Sequence, residues 1–229
     1  MPLPMVHLNI AYLLTDTLPV QIERGSFYLG NIAPDSIHMR EGTTREDKQD
    51  THFNPKDEGD YAGRLQGIYS SYIQQQPDEG WKWFVRGYFI HVLTDYYWFR
   101  SVYPEFVDRV NEIDQHTGIN RSKDELSRLY YQETDQIDFN LYRSASWSED
   151  VWQTLNRAAS YDMPDRLNAE EIVRWRDHTF SFLNGEEPGI TPKFITGEIA
   201  QAFVEKTVQR LNALLSSWDP ELRELRKTT

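Results

Sequence analysis

The chain contains no cysteine. Disulfides, thiolate zinc sites, iron–sulfur clusters and a cysteine nucleophile are therefore excluded from its chemistry. No apolar run approaches the roughly 18 residues a membrane span requires, so a helical integral membrane protein is not expected. Positive charge is scarce: 24 Lys and Arg stand against 36 Asp and Glu, a formal net charge of -12. Gripping a polynucleotide takes clustered Lys and Arg along a phosphate track, which this balance opposes. An anionic substrate would need locally placed positive charge, such as a metal ion. Alternating strand patterns, internal repeats and low-complexity blocks are also missing. So are a dinucleotide-binding glycine fingerprint, a P-loop, a nucleophile-elbow serine and a His-Glu-x-x-His motif. There is no His-Asp dipeptide, which counts against the helical HD-type phosphohydrolases.

What is present is aromatic. The 7 Trp, 13 Tyr and 11 Phe supply ample bulky surface for a core, despite a mean hydropathy of -0.68. The apolar periodicity is helical almost throughout. It predicts helices over about 3–15, 59–76, 79–114 (bent near Pro104), 122–145, 148–159, 168–184 and 193–217. Ser122 with Glu125 forms a capping-box pattern, Asn168 is a natural N-cap and Gly185 a natural stop. Gly59, Gly63 and Gly67 recur at four-residue spacing and predict close helix packing. The expected architecture is a single all-α domain of seven or eight helices covering residues 1–229. Residues 22–56 read as irregular, and loops of that length are generally functional or disordered. Met1 to Leu14 is apolar but broken by Pro2, Pro4, His7 and Asn9, with no basic residue before Arg24. That is unlike a secretory signal and reads as the buried first helix of a cytoplasmic protein. The Asn120-Arg121-Ser122 sequon then carries little weight.

The candidate chemistry begins with His91 and Asp95. Four residues apart on a helix, they leave the same face one turn apart, together with Phe84, Tyr88 and Trp98. In an aromatic interior an unpaired charge is costly, so the two either hydrogen-bond each other or share a divalent ion. His7, alone in the apolar first helix, reads as a satisfied core histidine. Asp35 after Pro34 reads as a turn residue, and His52 as a loop histidine. As a set they are different. His and Asp are nitrogen and oxygen ligands suited to zinc, iron, manganese or nickel. Two of each can surround one ion, and a further His can recruit a second through a shared carboxylate. His38, three residues after Asp35, is a candidate ligand, general acid, neighbour of the ligands or surface residue. His116 fits a surface position near a helix C-terminus. His178 shares a stripe with Ile172, Trp175 and Phe182 and reads as packing. Glu133, Asp135 and Asp138 read as a solvated acidic face.

Four ordered elements carry a family resemblance: His7 in the first helix, Gly30 to Asp35 ending in Pro-Asp, Thr51-His52-Phe53, and Gly87 to Asp95 with its His-xxx-Asp. On these, within about the first 100 residues, the chain resembles the zinc-dependent phospholipase C family and, more distantly, the zinc-dependent single-strand nucleases. The resemblance implies an all-helical phospholipase C/nuclease-like fold and zinc-assisted phosphoester hydrolysis. It also implies metal ligation by Asp35, His52, His91 and Asp95, with His7 near a second ion bridged by Asp95. Two family elements have no counterpart. Six residues precede His7, where the secreted enzymes use the amine of a processed N-terminal Trp, and His116 is followed four residues later by Asn120 rather than Glu. One or two divalent ions, zinc first among them, are therefore expected. The expected activity is metal-dependent hydrolysis of a small phosphoester, with Asp35 orienting or deprotonating the attacking water. Extended nucleic-acid binding and stable membrane insertion are not expected. The alternative is a non-catalytic helical module whose metal site is structural or degenerate.

Overall fold

The computed structural model describes residues 4–18, 22–55 and 60–225. Within them the backbone is helical, with no strand and one isolated bridge between Met163 and Leu167. In chain order come α1 (Pro4–Thr15), α2 (Arg24–Gly30), a 3-10 helix (Ala33–Met39), α3 (Arg45–Thr51) and α4 (Tyr61–Ile73). Then follow α5 (Glu79–Arg100), α6 (Val102–Thr117), α7 (Lys123–Ser144) and α8 (Ser148–Asn156). The last are α9 (Ala169–Leu183), α10 (Gly197–Trp218) and α11 (Pro220–Leu225). No helix among the described residues is long and apolar enough to cross a membrane.

The count exceeds the expected seven or eight for identifiable reasons. Residues 22–55 are not an irregular loop: they hold α2, the 3-10 helix and α3, each seven residues long. Segments that short scarcely register as apolar periodicity, and tertiary packing stabilises them. The predicted helix over 79–114 is two helices meeting at Ser101, whose φ of -129° and ψ of -73° break the run. Pro104 lies in the first turn of α6, where its missing N–H costs little. Capping follows the sequence more closely. Ser122 with Glu125 and Asn168 with Glu171 both form reciprocal capping boxes, and Thr44 with Asp47 forms a third.

Helix α5 is the axis of the fold. Its residues are buried on every side from Trp83 to Asp95, as expected for a helix apolar all round. Helices α1, α2, α4, α6 and α10 and the 3-10 helix pack against it. The closest crossing is between α2 and α5, and two glycines permit it. A Cβ on Gly30 would fall 2.1 Å from the Phe84 carbonyl oxygen, and one on Gly87 would fall 2.2 Å from that of Phe27. The glycine row expected to pack closely does not. Gly67 has open space where its Cβ would stand, Gly63 faces only its own capping Asp60, and Gly59 lies outside the described residues.

The acidic stretch of α7 corrects a second expectation, because two of its three carboxylates are buried. Glu133 is 2 % exposed and accepts backbone N–H bonds from Lys193, Phe194 and Ile195 at 2.7–2.8 Å, pinning the segment that leads into α10. Asp138 is fully buried and accepts from Met5 N at 3.1 Å, so it caps the start of α1. Burial pushes its carboxyl well above the usual range and lifts half-buried Asp135 to about 6.

A candidate metal centre

Each element brings one or two side chains to the same point beside α5. Helix α1 delivers His7, the 3-10 helix Asp35, the end of α3 His52, and α5 both His91 and Asp95. All five are no more than 5 % exposed. Pro34 opens the 3-10 helix and sets Asp35 in its first turn. His52 is the C-cap of α3, and the chain leaves the helix through Phe53 and Asn54 in the left-handed region, at φ 54° and 52°. For a bulky residue that conformation is strained. It is held because the Phe53 ring is buried, stacked on Phe89 at 5.0 Å and covered by the Arg166 guanidinium at 4.4 Å. Tyrosine hydroxyls clamp the backbone on both sides: Tyr88 donates to the Thr51 carbonyl at 2.7 Å and Tyr61 to that of His52 at 2.6 Å.

The protonation of two imidazoles follows from their partners. His91 Nδ1 lies 2.8 Å from the Asn31 carbonyl and His52 Nδ1 lies 2.8 Å from the Lys48 carbonyl. A carbonyl oxygen only accepts, so each Nδ1 carries a proton, and in the neutral ring Nε2 then presents a lone pair. Those Nε2 atoms face each other at 3.3 Å. Around them are Asp35 Oδ1, 3.6 Å from His52, and Asp95 Oδ2, 3.3 Å from His52. His91 Nε2 is 3.9 Å from Asp35 Oδ2 and 4.0 Å from Asp95 Oδ2. Burial, reinforced by neighbouring His7, pushes His91 down to about 3 and keeps its ring neutral. Burial works against ionisation of Asp35, but the Lys48 ammonium outweighs it and holds the carboxyl below the usual range.

The His91 Nε2 atom and the carboxylate oxygens of Asp35 and Asp95 thus converge on His52 Nε2. Zinc bonds of about 2.0–2.2 Å to nitrogen and oxygen place tetrahedral ligand atoms about 3.3–3.6 Å apart; the contacts of His52 fall in that span, and those of His91 with the two carboxylates, at 3.9 and 4.0 Å, are wider. Asp35, His52 and His91 form one group whose ligand atoms lie within 4.8 Å of one another and could hold a metal ion. His7, His91 and Asp95 form a second, overlapping group with ligand atoms within 4.8 Å of one another. His7 stacks flat on His91, ring centroids 3.9 Å apart, with Nε2 3.3 Å from Asp95 Oδ1. That contact lacks hydrogen-bond alignment, and neither His7 nitrogen has a hydrogen-bond partner. Because His91 already commits both nitrogens, His7→Ala should lower zinc content by no more than one ion per chain. Elemental analysis checks this, and complete loss of metal would place His7 among the primary ligands.

The other candidates separate. His38 stands beside the ligands: its Nε2 accepts from Lys48 Nζ at 3.2 Å, and Trp175 packs on its ring at 5.8 Å. Burial and Lys48 lower its pKa. His116 is exposed near the C-terminus of α6, bonded to the Glu112 carbonyl. His178 is not core packing; it is exposed and lies against Trp175 at 5.7 Å. Sequence reasoning passed over Lys48, whose ammonium lies 2.8 Å from Asp35 Oδ1. Its signal was available: Lys48 precedes His52 by four residues on one helix. Asn31, which acts through its carbonyl, carries no such signal. Comparison of the chain with profiles of known families, with curated proteins and with solved structures finds no match.

Proposed function

We propose that the chain is a metal-dependent phosphoester hydrolase in which Asp35, His52, His91 and Asp95 hold one divalent ion, zinc being the best match to the donor set. The observation that carries this reading is the approach of two Nε2 atoms to 3.3 Å, with both Nδ1 protons committed to backbone carbonyls. Carbonyl partners of this kind fix the tautomer and aim of metal-binding imidazoles. The four motif elements shared with the zinc-dependent phospholipase C family support the same reading. Bound there, the ion would supply Lewis acidity towards a phosphoryl oxygen and lower the pKa of water at neutral pH.

The protein groups do the rest. Asp35 is ionised and partly engaged by Lys48, which leaves its second oxygen able to accept a proton from water or to orient it. The burial of the five side chains keeps bulk solvent from them, which strengthens the electrostatic contacts among them. The substrate class is a small phosphoester. Long polynucleotides are disfavoured by a net charge of -12, since no Lys and Arg track offsets the average field. A second reading has its own support: four protein ligands can close a tetrahedral shell, as in structural zinc sites.

Zinc-reconstituted protein should cleave a chromogenic aryl phosphodiester or phosphomonoester. Chelated protein should fall to background, and Asp35→Asn should lose about a hundredfold or more, as expected for loss of a proton-transfer group. Equal rates in all three preparations would remove the catalytic reading. X-ray absorption showing four protein ligands and no water would assign the ion a structural role.

A further inference from the structure

The Lys48 ammonium stands between the buried carboxylates and solvent, its side chain 21 % exposed. It donates one N–H to Asp35 Oδ1 at 2.8 Å and a second to His38 Nε2 at 3.2 Å. A lysine ammonium has three donors, so one remains for a ligand oxygen. His38 fixes the ammonium without adding charge, since a nitrogen that accepts from lysine carries no proton of its own. Trp175 packs on the outer ring of His38 at 5.8 Å and holds it in place.

Charge balance identifies what that donor would meet. Asp35 and Asp95 together cancel a single dication, so an ion-loaded centre without Lys48 is neutral. Lys48 raises it by one positive charge. A buried site with one uncompensated charge favours a ligand of equal and opposite charge, because unmatched charge in low dielectric is costly. A phosphodiester is such a ligand, singly negative and rich in acceptor oxygens, whereas a phosphomonoester dianion would leave an excess negative charge. The net charge of the chain is -12, so positive potential for an anion has to come from local cations of this kind.

Resting on the metal reading above, we propose that Lys48 anchors a non-bridging oxygen of a singly charged phosphodiester at this centre and selects anionic over neutral phosphate esters, with His38 as its positioning residue.

The test uses zinc-loaded protein, with dimethyl phosphate as the anionic probe and trimethyl phosphate as the neutral one, each titrated by phosphorus-31 line broadening. Wild type should bind the anion more tightly. Lys48→Met should weaken dimethyl phosphate about tenfold or more, the loss expected for one charge-assisted hydrogen bond. It should leave trimethyl phosphate unchanged and keep zinc content at the wild-type level. Lys48→Arg should retain most of the preference, since the positive charge stays. Unchanged dimethyl phosphate affinity in zinc-loaded Lys48→Met overturns the assignment to lysine alone. A wild type that takes up zinc but does not prefer the anion overturns it as well. A wild type that takes up no zinc removes the centre itself, and this assignment with it.

Discussion

Zinc should raise the unfolding free energy of the wild-type protein by about 4 kcal/mol when free ion exceeds its dissociation constant a thousandfold, and Asp95→Ala should abolish nearly all of that gain. The reason is geometric. Asp95 Oδ2 approaches both imidazole lone pairs, at 3.3 Å from His52 and 4.0 Å from His91, while Oδ1 faces His7. Removing it takes away a ligand and the only group of the five that touches all three histidines. In metal-free protein the same substitution should cost less, because there is no bond to an ion to lose. Calorimetric melting of both proteins with and without zinc, together with elemental analysis, reads the difference directly. Full zinc content and an undiminished zinc-dependent rise in melting temperature in Asp95→Ala would show that the ion binds elsewhere.

Gly87→Val should be the most damaging single substitution at the helix crossing, destabilising the fold by about 3 kcal/mol or more through overpacking. A Cβ at this position meets the Phe27 carbonyl oxygen at 2.2 Å and the backbone nitrogen of Asn31 at 3.0 Å. Backbone cannot rotate aside as a flexible side chain can, so α2 must move away from α5. The effect extends to the centre, because the carbonyl that holds His91 belongs to Asn31, the residue that ends α2. Zinc affinity should fall by about 10–100-fold in whatever fraction still folds, the usual consequence of losing a partner behind a ligand. Gly67→Ala is the control. Its Cβ meets nothing within 4 Å on an exposed turn of α4, so it should stabilise by about 0.5–1 kcal/mol through helix propensity alone. Urea unfolding separates the two, and a Gly87→Val curve matching wild type would show that the crossing tolerates separation.

These two glycine positions also show where sequence reading stops. A row of glycines at four-residue spacing in α4 suggested close packing, yet Gly67 faces open space. Gly30 and Gly87, 57 positions apart and without any shared pattern, are where two backbones meet. Spacing along one helix reports which residues share a face. It does not report what approaches that face. The same gap explains Glu133 and Asp138, which an acidic helical stretch marks as solvated. Each is buried because an incoming chain end or segment presents backbone N–H groups to it, and those donors lie more than 50 residues away.

By itself, the sequence determined the helical class, most helix boundaries, the caps at Ser122 and Asn168, and the co-facial pairing of His91 with Asp95. All of these depend on local periodicity and on side-chain bonds spanning three or four residues, which a linear string records. It also supplied the right residue types for a metal centre and, through ordered motifs, the suggestion that His7, Asp35 and His52 belong with that pair. Only the tertiary structure decided that the five gather into two overlapping groups that share His91. It alone set the tautomers of His52 and His91, because the oxygens that hold their protons are backbone carbonyls, and a carbonyl is the same at every position of every sequence.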